Sequence, residues 1–128
     1  MELDPEAAPF NVAAVVHLAR EGFYRGVAFH RVVPDFVIQG GDPTETGWGG
    51  PGFLLPGEPS LEPFSRGAVG MADAGLDTAG SQFFVAHSRV PHLDGRYTLI
   101  GRVTEGMDVV DAIQVGDPIV GVDVKVVP

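Results

Sequence analysis

The chain has 128 residues, enough for one domain with a single core and too few for two. Eight Lys and Arg against 17 Asp and Glu leave a net charge of −9, which speaks against nucleic acid and anionic membranes, both held largely through basic side chains. The absence of cysteine removes disulfides, thiolate metal sites and thiol nucleophiles. With 18 glycines and 11 prolines, many turns and few long helices are expected. No run approaches the roughly 20 apolar residues of a spanning helix, and the N-terminus lacks the basic-then-apolar pattern of a signal peptide. A soluble, cytoplasmic protein is the plain expectation.

In chain order, Pro5 to Gly22 is the one well-marked helix. Pro9 suits its first turn, Val12, Val15, Val16 and Ala19 form a buried stripe, and Gly22 is placed as a left-handed stop. Val27 to Gly41, V-A-F-H-R-V-V-P-D-F-V-I-Q-G-G, reads as a strand pair bent at Pro34-Asp35. Side chains alternate, so Phe29, Arg31 and Val33 are expected on one face, and Val37 with Gln39 on one face past the break. An arginine among so many apolar neighbours needs a partner or a ligand, because burying an unpaired guanidinium is costly.

Asp42 to Pro63 is a glycine- and proline-rich loop anchored by Trp48 and Phe53. It lacks the spacing of a phosphate-binding loop and any helix pattern after it, so it reads as a surface loop, a common place for function. Gly67 to Ala74 is a strand of small residues, and such strands let another backbone approach. In Gly80 to His87, Gln82 and Phe84 share one face while Phe83 and Val85 share the other. That asymmetry suits a core on one side and a ligand groove on the other. Val90 to Arg96 is a loop with an Asp-Gly turn, Tyr97 to Val103 a strand, and Gly106 to Ile113 a short helix burying Met107, Val110 and Ile113. Val120 to Val127 alternates as a terminal strand does. The whole predicts a mainly β protein, a barrel or sandwich with two helical plugs.

Other chemistries find no support. His17, His30, His87 and His92 show no metal-ligand spacing, so no metal is expected, and His30 reads as a packed structural histidine. Ser81 lacks a nucleophile elbow and ordered His and Asp partners.

Four blocks carry a resemblance: F-H-R-V-V-P-D-F-V-I-Q-G-G-D, M-A-D-A-G, G-S-Q-F-F and L-D-G-R-Y-T-L-I-G-R-V. In this order and spacing they resemble the signature blocks of the cyclophilins, and the match covers nearly the whole chain as a single domain, 1–128. The resemblance implies an eight-stranded antiparallel β-barrel capped by two helices. It implies cis/trans isomerisation of X-Pro bonds, no cofactor, and proline-containing peptides and unfolded segments as partners. Arg31 matches the family's catalytic arginine, and Gln39 stands beside it as a second catalytic candidate. Phe36, Val37, Gln39, Gln82 and Phe84 match residues of the proline pocket and peptide groove, with Leu93 and Tyr97 on the remaining wall. Ala72, Asp73 and Ala74 match a segment whose backbone holds the substrate.

Some positions depart from the family pattern. Val37 stands where methionine is frequent, Asp73 where asparagine is common, and Tyr97 where histidine is. His92 occupies a position where many members have a tryptophan linked to cyclosporin, so cyclosporin binding is expected to be weak. The family's first strand has no counterpart ahead of Met1–Asp4, which leaves the domain short at its N-terminus and predicts strands with unpaired edges.

The chemistry implied needs no nucleophile, metal or proton shuttle. Resonance sets a barrier of roughly 18–20 kcal/mol, while cis and trans X-Pro differ by only about 0.5–1 kcal/mol. A permanently charged donor such as Arg31 suits the proline nitrogen, which regains a lone pair as the amide twists. A non-catalytic proline-peptide binding or chaperone module within a larger assembly is the alternative; it would need the aromatic pocket but not Arg31.

Overall fold

The computed structural model describes residues 1–127. Among these, six strands form one antiparallel sheet: β1 Glu2–Leu3, β2 Arg31–Val33, β3 Val37–Gly40, β4 Ala68–Met71, β5 Phe83–Ala86 and β6 Leu99–Arg102. Their spatial order is β1-β6-β4-β5-β3-β2, so the edges are β1 and β2. Two helices accompany them, α1 Pro9–Arg20 and α2 Met107–Ala112, with a 3-10 turn at Pro91–Leu93.

Strict alternation gives the sheet two buried faces. Ile38, Val69, Met71, Val85 and Ile100 point into one core with Phe29, Val12 of α1 and Val110 of α2. Their strand neighbours Val37, Ala68, Phe84, Ala86 and Leu99 point the other way, onto Phe64, Val90 and Leu93. The first core holds the fold together, and the second is the floor of the candidate site. β2 and β3 pair as Arg31↔Gln39, Val32↔Ile38 and Val33↔Val37. Asp35 turns their hairpin at φ 62°, a left-handed conformation that Asp tolerates.

Several sequence expectations are corrected. α1 begins at Pro9 and not Pro5. The residue before a proline is driven out of the helical region, and Ala8 sits at φ −142°. The Asp4 carboxylate meanwhile accepts from Ala7 N–H at 3.1 Å, closing a separate turn. Gly22 ends the helix with φ 77° as expected, and Phe23 N–H bonds back to Leu18 C=O at 3.0 Å. Phe29 does not share a face with Arg31; it lies in the first core beside Val32, because β2 starts only at Arg31 and alternation does not extend back past it.

The sheet has fewer ladders than the resemblance implied and is not closed, though its fold remains barrel-like. Six strands are present among the described residues, and Val120–Val127 forms none. Where further pairing begins it stops after one residue, at the isolated bridges Ala28↔Pro118 and Leu55↔Ala79. Pro118, and Pro56 beside Leu55, lack the N–H that a ladder needs. From Val120 to Val127 the chain lies mostly exposed, apart from Val124, which packs against the cluster of Leu18, Ala19 and Tyr24.

Candidate active site

The site lies on the second face, at the β2–β3–β5 side of the sheet. The β2–β3 register places Arg31 opposite Gln39, and the β3–β5 register places Gln39 opposite Phe84. Arg31 is exposed and donates from Nη1 to Gln39 Oε1 at 3.2 Å. Its guanidinium carbon lies 5.7 Å from the centroid of the Phe36 ring, within cation–π range. Gln39 Nε2 donates to Gln82 Oε1 at 3.1 Å. Gln82 Nε2 in turn donates to the carbonyls of Gly47 at 2.8 Å and Gly49 at 3.2 Å.

Two cavities meet along this line of amides. The smaller, about 180 Å³, is walled by Phe36, Val37, Ala72, Phe84, Leu93 and Tyr97, with Arg31, Gln39 and Asp73 at its mouth. That volume is below the range of drug-sized pockets and suits a single small side chain. The larger, about 870 Å³, runs between Trp48 to Leu54 and the Ala72–Ala74 segment, with Gln39, Gln82 and Thr78 in its lining. Gln39, Ala72 and Asp73 belong to both.

The aromatic wall is held rigidly from behind. Phe84 stacks on Phe64 at 5.5 Å between centroids and meets Tyr97 edge-on at 5.8 Å. Gly70 passes directly under this pair, where a Cβ would collide with both Phe84 and Phe64. Leu93 is held by the 3-10 turn, whose following residue Asp94 accepts from Phe64 N–H at 2.8 Å and pairs with Arg89. The Arg89 guanidinium and the Phe64 N–H hold the Asp94 carboxyl below the usual carboxylate range.

The structure distributes the sequence candidates unevenly. Arg31, Phe36, Val37, Gln39, Ala72, Asp73, Phe84, Leu93 and Tyr97 converge on the smaller cavity. Ala74 and Gln82 line the larger one. His92 lines neither; it is exposed and stacks on Phe36 at 5.7 Å.

Sequence reasoning missed Asp42, which is fully buried at the end of the hairpin. Its carboxylate accepts from the Thr44 N–H and hydroxyl at 2.8 Å each, and from the N–H groups of Thr46 at 3.0 Å, Gly47 at 2.7 Å and Gly49 at 3.1 Å. Burial alone would raise this carboxyl, but the bonds from Thr44, Gly49 and Gly47 outweigh it and hold the group far below the usual carboxylate range. The signal was present in D-P-T-E-T-G, since Asp followed by Thr and Gly is turn chemistry.

Comparison with known proteins gives this geometry a family. Residues 1–127 match the family model described as cyclophilin type peptidyl-prolyl cis-trans isomerase/CLD. The chain belongs to the cyclophilin-type peptidyl-prolyl cis-trans isomerases. It is 51% identical to peptidyl-prolyl cis-trans isomerase B of Bacillus subtilis, over 91% of this chain and 82% of that protein. A Helicobacter pylori peptidyl-prolyl cis-trans isomerase is 49% identical, over 91% of this chain and 74% of its own length. Among solved structures, a Cryptosporidium parvum cyclophilin superposes with a TM-score of 0.84 at 33% identity, covering 88% of this chain and 74% of that one. A second structure of that cyclophilin, determined in the presence of the dipeptide Ala-Pro, gives 0.82 at 32% identity, over 92% and 83% of the two chains. No helix among the described residues is long and apolar enough to cross a membrane.

Proposed function

We propose that the smaller cavity takes the proline ring of an X-Pro segment and that Arg31 is the catalytic residue. The observation that carries this reading is the guanidinium held by Gln39 and Phe36 at the mouth of an apolar, one-side-chain cavity. As the amide twists, its nitrogen pyramidalises, and a guanidinium N–H stabilises the lone pair that appears. Gln39 accepts from Arg31 and so keeps the remaining donors of the fork aimed at the cavity mouth. Phe36, Val37, Phe84, Leu93 and Tyr97 hold the ring and exclude water, which strengthens the charge–dipole contact.

The peptide backbone runs over Ala72–Asp73–Ala74, with Gln82 on the far side. In support, the N–H and C=O of Asp73 make no protein hydrogen bond among the described residues, and Asp73 is an exposed residue lining the cavity. Because this contact is made by main chain, aspartate there serves as well as asparagine. Bringing exchange from tens of seconds to about ten milliseconds needs roughly 4–5 kcal/mol, which one charge-assisted hydrogen bond and a dry pocket can supply. With His92 outside the cavity lining and only stacked on Phe36, cyclosporin binding is weak in this reading, and calorimetric titration with cyclosporin tests it.

The deciding experiment follows cis/trans exchange of an Ala-Pro-Phe peptide by NMR with the parent protein and with Arg31→Ala. Acceleration by the parent, reduced about 100-fold in the folded variant, is the expected result. Acceleration unchanged in Arg31→Ala would remove Arg31 from the mechanism. Binding without acceleration would make the chain a proline-peptide binding module.

A further inference from the structure

The geometry points to Asp42 as a positioning residue for Arg31, acting through the 44–49 loop, Gln82 and Gln39. This inference rests on the assignment of Arg31 proposed above.

A side-chain amide has one end that donates and one that only accepts, and it can turn by half a rotation at little steric cost. Nothing in the shapes of Gln39 and Gln82 dictates which end faces Arg31. A backbone carbonyl, however, can only accept. The carbonyls of Gly47 and Gly49 both face the Gln82 side chain, so its amino group must turn toward them. Its oxygen is then left facing Gln39, whose amino group turns to meet it. The Gln39 oxygen is left for Arg31, a pure donor. Reversing either amide would set donor against donor at one junction. Arg31 at one end and the loop carbonyls at the other therefore impose the same polarity, and the loop end, about 35 residues away in sequence from Gln82, is the one that orients Gln82.

What holds those two carbonyls is Asp42. Gly47 and Gly49, the residues whose C=O groups accept from Gln82, also donate their N–H groups to the Asp42 carboxylate. A loop containing Gly47, Gly49, Gly50 and Gly52 has little stiffness of its own. Six donors on one fully buried carboxylate supply it. Gly49 fits the site only because it lacks a Cβ, which would collide with the Asp42 carboxylate and lie 2.5 Å from the Thr44 hydroxyl.

The test is a double-mutant cycle in kcat/KM for an Ala-Pro peptide, with folding checked by circular dichroism. Asp42→Asn places an amino group against N–H donors and is expected to lower kcat/KM about tenfold in the Gln82-containing protein. In a Gln82→Ala background the same change is expected to cost less than about twofold, because the chain of amides is already cut. Thr44→Val, at an exposed position, removes a single donor and serves if Asp42→Asn does not fold. Its smaller loss should vanish in the same background. Side-chain amide NMR signals of Gln39 and Gln82 should shift in Asp42→Asn and Thr44→Val. Equal losses in both backgrounds, or unchanged kcat/KM with unchanged amide signals in a folded variant, would overturn the inference. A parent protein that does not accelerate exchange at all would instead overturn the assignment of Arg31.

Discussion

Two residues at the site have consequences that can be measured singly. Gly70 carries Phe84 and Phe64 on its bare Cα. Gly70→Ala forces that stack outward, and overpacking of this kind costs roughly 1–3 kcal/mol. Because Phe84 walls the smaller cavity, the variant should lose thermal stability and raise KM together; a lowered melting temperature with KM unchanged would show that the ring does not hold substrate. Asp42 links the same region to pH. Its carboxyl is held well below the ordinary value of about 3.9, so the stability it contributes is fully present above that value and is lost as pH falls below it. Denaturant midpoints of the parent should therefore fall between about pH 5 and 2, while Asp42→Asn, less stable at neutral pH, falls less steeply. The exposed pairs Arg66–Asp111 and Arg89–Asp94 contribute little to that slope because solvent screens them.

Among the elements, α1 shows how the long loop earns its place. The N-cap Ala8 has no capping side chain and the first turn holds no acidic residue. Glu58, in the loop between β3 and β4, supplies the missing acceptor: its carboxylate takes the N–H groups of Phe10 at 3.1 Å and Asn11 at 2.8 Å. Asn11 is itself fully buried and donates to Glu58 at 2.6 Å and to Pro56 C=O at 2.9 Å. Glu58 N–H donates to Thr98 Oγ1, which ties the cap to the segment entering β6. A negative group at a helix start and a lost cap are each worth about 1 kcal/mol. Glu58→Ala should accordingly cost about 1–2 kcal/mol in denaturant unfolding at neutral pH, with isomerase activity of the folded fraction unchanged.

At the scale of the molecule, charge decides which substrates arrive fastest. A net charge of −9, with Asp73 at the mouth of the smaller cavity, favours the approach of basic segments and slows that of acidic ones. With Ala-Pro peptides flanked by lysine or by glutamate, kcat/KM should favour the lysine peptide at low ionic strength, by about tenfold at most, and the ratio should shrink toward one near 0.5 M salt. A ratio insensitive to salt would mean that recognition is confined to the apolar cavity. The acidic residues other than Asp42 lie at or near the surface, where solvent screens this charge.

Much of this was legible before any coordinates. Alternation is a local property with a period of two, so the opposed faces of Gln82–Phe84 and Phe83–Val85, and the shared face of Val37 and Gln39, followed from the letters alone. Blocks in register were enough to mark the family and the mainly β fold, and to single out Arg31 as a candidate. The sequence alone could not show where alternation stops: Phe29 crosses to the other core, and Val120–Val127 alternates without pairing, because a strand exists only where a partner backbone with free N–H groups lies alongside. Nor could it show the contacts that join distant residues, such as Glu58 on α1, Gly70 beneath Phe84, or Asp42 behind Gln82. A buried carboxylate or a bare Cα has meaning only through what the rest of the chain brings against it, and only the tertiary structure decides that.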